Sequence, residues 1–285
     1  MNEKYPRTFQ DIGGWAKENG VTVQEARVRF AQYGILRAVS DSRVLSATLV
    51  FKGGNALDFV WSPNRSTKDL DFSSTDPLEG DALKELLQDS LSATSRKLGT
   101  LYSVHSVKRQ PPSPDATFVT YAVSVGYALT DEANLRRRIE SGSTSPLVVP
   151  LDVSINEVVC EDEPVDTAGV HKLRVSSCED IVAEKLRSLL QQPVRNRYRR
   201  QDLLDVAVTC QRRSLDFAKV ADFLLRKAVA RGIVVSRSAF RDPEVKRRAA
   251  QDYAELKTTT RTLFVPIDDA WEALLALVDS LPIDP

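Results

Sequence analysis

The sequence predicts an α+β chain, with a β-sheet and flanking helices over residues 1–175 and an all-helical domain over residues 176–285. Three observations predict it. Short β-rich runs recur through the first part of the chain, at 47–51, 68–72, 99–107, 118–129 and 148–159. Beyond Ser176 those runs cease, and apolar residues return at helical spacing instead. The 285 residues are 42% hydrophobic and 27% charged, a composition that can bury two cores of ordinary size.

Taken in order, Thr22 and Glu25 form a capping-box pattern ahead of Val28, Ala31, Ile35, Leu36 and Val39, which predicts a helix ending near Ser40. The run Ala47 to Phe51 predicts a strand, stopped by Gly53 and Gly54, with Asn55 capping a short helix through Trp61. Pro63 and Asn64 break that helix, and Lys68 to Phe72 alternates as a half-buried strand does. A helix over 81–97 follows, then two strands around the proline-rich loop 111–114, then a longer strand at 148–159 with Asp152 inside it. Ser176 or Ser177 caps a helix to about Gln192, another starts near Arg199, and two more cover about 217–231 and 268–281.

Composition excludes several classes of function. Lys+Arg and Asp+Glu both total 39, so no overall field draws the chain to nucleic acid or an anionic membrane, and any basic site must be local. Cys160, Cys178 and Cys210 are isolated, which argues against disulfides and structural zinc. With His105 and His171 as the only histidines, a histidine-based centre is poorly supplied. Residues 1–10 carry charges where a signal peptide needs an apolar core, and no apolar run approaches the ~20 residues of a membrane span. The expected setting is a reducing cytoplasm.

The chemistry points to carboxylates on strands. Asp69 and Asp71 alternate with Leu70 and Phe72, so both acids project from one face. Two such charges sharing a small volume are costly unless a cation sits between them, and a hard divalent ion is the usual solution. Asp152 interrupts an otherwise apolar strand and needs a partner too. A metal held by Asp69, Asp71 and Asp152 would suit phosphoryl or nucleotidyl transfer. The plainer alternatives are an exposed polar strand edge and an acid paired with an arginine.

Other residues are candidate helpers. A strand followed by Gly53, Gly54 and Asn55 and then a helix aims backbone N–H groups at an anion. Arg65 either clamps a phosphate or neutralises the carboxylates. Lys185 falls on the apolar stripe of its helix with Ile181 and Leu189, either buried there or snorkelling to solvent. Asp202 and Asp205, at i and i+3, can orient a lysine or an arginine. Arg195, Arg197, Arg199 and Arg200 surround Tyr198 and are continued by Arg212 and Arg213, a pattern suited to RNA and equally common in helix entries without such a role.

In order and spacing, Lys52-Gly-Gly-Asn-Ala-Leu57, Arg65-Ser-Thr-Lys-Asp-Leu-Asp-Phe72, Leu151-Asp-Val153, Ala183-Glu-Lys-Leu186 and Arg200-Gln-Asp-Leu-Leu-Asp205 resemble the AbiEii/AbiGii toxin family, which includes the MenT toxins. The resemblance implies a polymerase-β-type nucleotidyltransferase domain with a mixed sheet, a helical C-terminal domain, magnesium or manganese, and an NTP donor, GTP or CTP foremost. It also implies transfer to RNA, tRNA 3′ ends above all, and a separately encoded antitoxin. By matching positions it assigns metal binding to Asp69 and Asp71, with Asp152 as a third carboxylate, and an essential lysine to Lys185. The late acidic motif falls on Asp205 with Asp202 beside it, and the phosphate-binding turn on Gly53 and Gly54; Asn55, Arg65, Lys68 and Asp202 are the further candidates for the nucleotide site. Asn55 departs from the Ser or Thr usual in that family. The other readings are a catalytically silent nucleotide- or RNA-binding module, a metal-dependent nuclease, and an enzyme that modifies protein by NMP or phosphoryl transfer.

Overall fold

The computed structural model describes residues 5–285, so the reading of the N-terminus as lacking an apolar leader lies partly outside the described residues. The chain divides into two compact units, Met1–Val60 with Thr67–Val175, and Trp61–Ser66 with Ser176–Pro285. The six residues Trp61–Ser66 therefore leave the sheet-bearing part of the sequence and join the helical one, a break that no composition shift announces.

The first unit begins with α1 (Asp11–Asn19) and α2 (Val23–Asp41). Helix α2 starts where the capping box requires: Thr22 Oγ1 accepts from the Glu25 N–H at 3.1 Å, and Glu25 Oε2 accepts from the Thr22 N–H at 2.9 Å. Helix α3 (Arg43–Thr48), capped by Ser42, takes residues that the β-rich run at 47–51 assigned to a strand. The strand β1 is thereby shortened to Leu49–Lys52, and α4 (Gly53–Ala56) and a π-helical turn, Leu57–Trp61, follow. Next come β2 (Leu70–Ser74), α5 (Gly80–Leu98), β3 (Leu101–Gln110), β4 (Val119–Ala128), α6 (Ala133–Glu140) and β5 (Val148–Ile155). Strand β5 stops earlier than the apolar run suggested, because Asn156 turns left-handed at φ 61°. The short strands β6 (Asp162–Val165) and β7 (Leu173–Ser176) complete the sheet.

The seven strands run in the order β3-β4-β5-β2-β1-β7-β6. The sheet is mixed: β2 is parallel to β5 and β1 to β7, while β1–β2, β3–β4 and β4–β5 are antiparallel. On one face Leu49, Phe51, Leu70, Phe72, Leu151 and Val153 are all buried. Leu83, Leu87 and Leu91 lie one helical turn apart on α5 and are fully buried as well. Burying each such side chain contributes roughly 1.5–3 kcal/mol. With that face committed to the core, the alternation of β1, β2 and β5 sends Lys52, Asp71 and Asp152 to the opposite one.

The second unit holds α7 (Cys178–Leu190), α8 (Gln192–Arg195), α9 (Arg200–Arg212), α10 (Phe217–Val229), α11 (Arg237–Phe240), α12 (Pro243–Ala250), a 3₁₀ turn at Tyr253–Thr258 and α13 (Ile267–Ser280). Ser177 caps α7 by accepting from the Asp180 N–H. The Lys227 ammonium on α10 meets the Asp180 carboxylate on α7 at 3.0 Å, both nearly fully buried, and fastens the two helices. Trp61–Ser66 is tied in by side chains: Arg212 donates to the Pro63 carbonyl, Arg213 to the Trp61 carbonyl, and Asn64 to the Leu263 carbonyl. Among the described residues no helix is long and apolar enough to cross a membrane.

Candidate active site residues

In the first unit, pleat and register gather the acids. Asp71 stands directly opposite Asp152 across the parallel β2–β5 pair, and opposite Lys52 across the antiparallel β1–β2 pair. Residues facing each other in register share a sheet face, so one cation and two carboxylates line up across three strands. Asp69 lies one residue before β2 and is exposed. Its charge still reaches Asp152: burial first, then Asp69, hold the Asp152 carboxyl above the usual carboxylate range, and Lys52 only partly offsets them. Negative charge is thus in surplus, and oxygen donors of this kind fit a hard divalent cation. Among the described residues no three His, Cys, Asp or Glu side chains converge into a set able to hold a metal ion. Asp69, outside the ladder, is the carboxylate whose direction the pleat does not fix.

Lys52 and Glu157 were not singled out by the sequence, and both belong here. Lys52 is buried and its ammonium pairs with the Glu157 carboxylate. The only sequence signal was the place of Lys52 at the end of a strand, next to two glycines.

The glycine turn is built tightly. Gly53 has φ +75°, and a Cβ there would lie 2.2 Å from Asp71 Oδ2, so the backbone at Gly53 packs directly against the carboxylate. Gly53 and Gly54 open α4 rather than precede it, since the helix cap is Lys52. Asn55 is accordingly not a cap, which corrects the sequence reading. It is fully buried, its amide donates to the carbonyls of Thr67 and Asp69, and its oxygen accepts from Arg29 at 3.2 Å. A side chain so placed holds protein backbone. Lys68, between Thr67 and Asp69, has an exposed side chain.

The second unit carries a separate charge cluster. Lys185 is buried, not snorkelling, and its ammonium lies 2.8 Å from both Asp202 and Asp205. Arg65 meets Asp205 as a fork, with Nε and Nη2 donating at 2.8 and 2.9 Å. The carboxylate that Arg65 meets in this structure is thus Asp205, 140 residues away, and not a strand acid. Burial alone would lower the Lys185 ammonium, but Asp202 and Asp205 outweigh it and hold the group above the ordinary lysine value. Burial would raise Asp205, yet Arg65 and Lys185 bring it down to about 2. Lys185 is thus a fixed positive charge at neutral pH, not a base.

The arginine-rich stretch divides. Arg195, Arg197 and Tyr198 are exposed, and the Arg248 guanidinium lies 5.6 Å over the Tyr198 ring. Arg199 sits 3.8 Å from Asp202, and Arg200 reaches Asp252 and Glu255 at 3.4 and 3.1 Å. Arg212 and Arg213, expected to extend the basic patch, instead bind the carbonyls of Pro63 and Trp61.

A family model described as "Nucleotidyl transferase AbiEii toxin, Type IV TA system" matches residues 35–276. Among solved structures the chain is similar to MenT4, a nucleotidyltransferase toxin from Mycobacterium tuberculosis, at 16% identity and a TM-score of 0.56, covering 95% of this chain and 90% of that one. It is similar also to a protein described as a nucleotidyltransferase from Helicobacter pylori, at 14% identity and a TM-score of 0.54, covering 91% and 95%. JHP933 from the same organism gives 14% and 0.53, covering 90% and 91%. At these identities the structural likeness shows the fold. No curated protein matches the chain.

Proposed function

Since the chain belongs to the AbiEii nucleotidyltransferase toxin family, we propose that it transfers NMP from an NTP, GTP or CTP foremost, to an RNA acceptor such as the 3′ end of tRNA, with magnesium or manganese that Asp71 and Asp152 would hold together with Asp69 once its exposed carboxylate turns to meet them. The observation that carries this reading is the register of Asp71 against Asp152, with a surplus of negative charge that Lys52 does not cancel. A bound divalent ion would offset that surplus and polarise the α-phosphate for attack. The acceptor hydroxyl oxygen forms the new bond to the α-phosphorus and gives up its proton to solvent, the bond to the bridging α,β-oxygen breaks, and pyrophosphate departs.

The chain's own groups supply the rest. Gly53 and Gly54 let the backbone come close to the carboxylates and to a triphosphate. Lys68 is exposed beside Asp69 and is available to the phosphates. Within the helical unit, Lys185 and Asp205 form a fixed cation with its counter-charge, held by Arg65 and Asp202, and these are the positions that match the family's lysine and late acidic motif. We assign residues 1–175, apart from Trp61–Ser66, to the nucleotidyltransferase domain, and 176–285 with those six residues to the helical one. A cytoplasmic setting and a separately encoded antitoxin accord with the family.

The test is incubation of the protein with Mg²⁺, each α-labelled NTP and total tRNA. Labelled, lengthened RNA is expected with wild type and none with Asp71→Ala. Transfer that persists unchanged in Asp71→Ala would remove the mechanism, and shortened RNA would replace it with nuclease chemistry.

A further inference from the structure

Asp69 has an exposed side chain on a segment outside the sheet ladder, yet its backbone is held firmly from beneath. Three consecutive carbonyls of that segment accept hydrogen bonds from two buried side-chain amides. Asn55 donates to the Thr67 oxygen at 3.2 Å and to the Asp69 oxygen. Gln32 on α2 donates to the Thr67 oxygen at 2.9 Å and to the Lys68 oxygen at 3.1 Å. Asn55 and Gln32 are 0% and 2% exposed.

Asn55 is itself fixed from behind. Arg29 donates to its oxygen at 3.2 Å, pairs with Asp58 at 2.8 Å and lies 3.3 Å over the Phe59 ring. An amide alone suits this position, because it offers two N–H donors and one acceptor at once, and all three are in use. A serine or threonine hydroxyl is shorter and has one hydrogen to give; the Thr67 oxygen would keep Gln32 as its donor, whereas the Asp69 oxygen relies on the longer amide. Without that donor the Asp69 carbonyl turns to solvent, and the segment is released from the buried amide that holds it.

We infer that Asn55 and Gln32 are positioning residues which, braced by Arg29, set residues 67–69 so that the Asp69 carboxylate meets the cation bound by the strand acids. The inference rests on the reading of Asp69 and Asp71 as metal ligands. It assigns Asn55 to the loop and not to the nucleotide. Partners that orient a ligand from outside typically change metal affinity by roughly 10–100-fold when removed.

The experiment measures Mn²⁺ binding to the full chain by electron paramagnetic resonance, with hydrogen exchange of the segment 66–70 read in parallel. The variants are Asn55→Ser and Gln32→Ala, compared with Leu87→Ala, which opens the core on α5 and removes none of the hydrogen bonds to the segment. Asn55→Ser and Gln32→Ala are expected to weaken Mn²⁺ by about 10-fold and to speed exchange at 66–70, while Leu87→Ala leaves both near wild type. Wild-type Mn²⁺ affinity in both loop variants overturns the inference and leaves the proposed enzyme standing. Equal weakening in Leu87→Ala overturns it too, since the effect is then general loosening. A wild-type chain that binds no Mn²⁺ removes the reading of the acids as ligands and this inference with it.

Discussion

Gly53 and Asp71 are in such close approach that a methyl group on the glycine would lie 2.2 Å from a carboxylate oxygen of the aspartate. The glycine also has φ +75°, which L side chains rarely adopt. Gly53→Ala therefore carries two penalties, a strained backbone and a displaced Asp71. We expect a stability loss of roughly 1–3 kcal/mol by thermal melting, and nucleotide transfer reduced on the order of 100-fold, as an ångström-scale misplacement of a reacting group produces. Transfer at the wild-type rate would show that Asp71 is not where the chemistry happens.

Asp71→Asn should separate function from stability. Asp71 faces Asp152 in register, and the Asp152 carboxyl is already held above its usual range by burial and by Asp69. Asparagine keeps the size of the side chain, takes one negative charge from the face that carries Asp152, and leaves the packing of Leu70 and Phe72 on the other face untouched. Transfer should fall about 100-fold or more, while the melting temperature stays level or rises, as is common where a site is built at the expense of stability. A marked fall in melting temperature would mean that the carboxylate serves the fold and not a ligand.

Much of this was legible in the sequence because it is local. The capping box at Thr22 and Glu25, the Ser177 cap and the alternation around Asp71 and Asp152 each rest on residues within a few positions of one another. The sequence placed Lys185 on an apolar stripe and left its burial open, and the acids at 202 and 205 decided it. What could not be read is non-local or too short to be periodic. Strands β6 and β7 have four residues each, too few to show alternation. Helix α1 carries two adjacent glycines, which weaken a helical pattern. Nothing near Arg65 names Asp205 as its partner, and nothing near Asn55 reveals that its amide turns inward to the carbonyls of residues 67 and 69.

The Lys185 cluster has a pH signature. Asp205 is lowered to about 2 by Arg65 and Lys185, which outweigh its burial. A carboxylate whose folded value lies below its unfolded value, ~3.9, stabilises the fold fully above that value and loses the contribution as pH falls towards about 2. Acid unfolding of wild type should therefore steepen between about pH 4 and 2, and Asp205→Asn should flatten that limb. Lys185→Met leaves the buried Asp205 and the half-buried Asp202 with one cation fewer and should cost ~3–5 kcal/mol in urea titration at pH 7. A loss under ~1 kcal/mol would mean that the pair is balanced by solvent after all.

The exposed arginines supply the last prediction. Arg195 and Arg197 are exposed, whereas Arg200 is engaged by Asp252 and Glu255, and Arg212 by the Pro63 carbonyl. If RNA is the acceptor, phosphate contacts belong to the first pair. Arg195→Glu with Arg197→Glu should weaken tRNA binding and lower the slope of log affinity against log salt by about 1–2, since each lost phosphate contact releases roughly one counterion fewer. NTP binding and the melting temperature should not change. Arg212→Ala should do the opposite, lowering stability because it unfastens Trp61–Ser66 and leaving the salt slope as it was. If the double substitution leaves the slope unchanged, RNA does not bind at this stretch, and the acceptor must be sought on another surface of the chain.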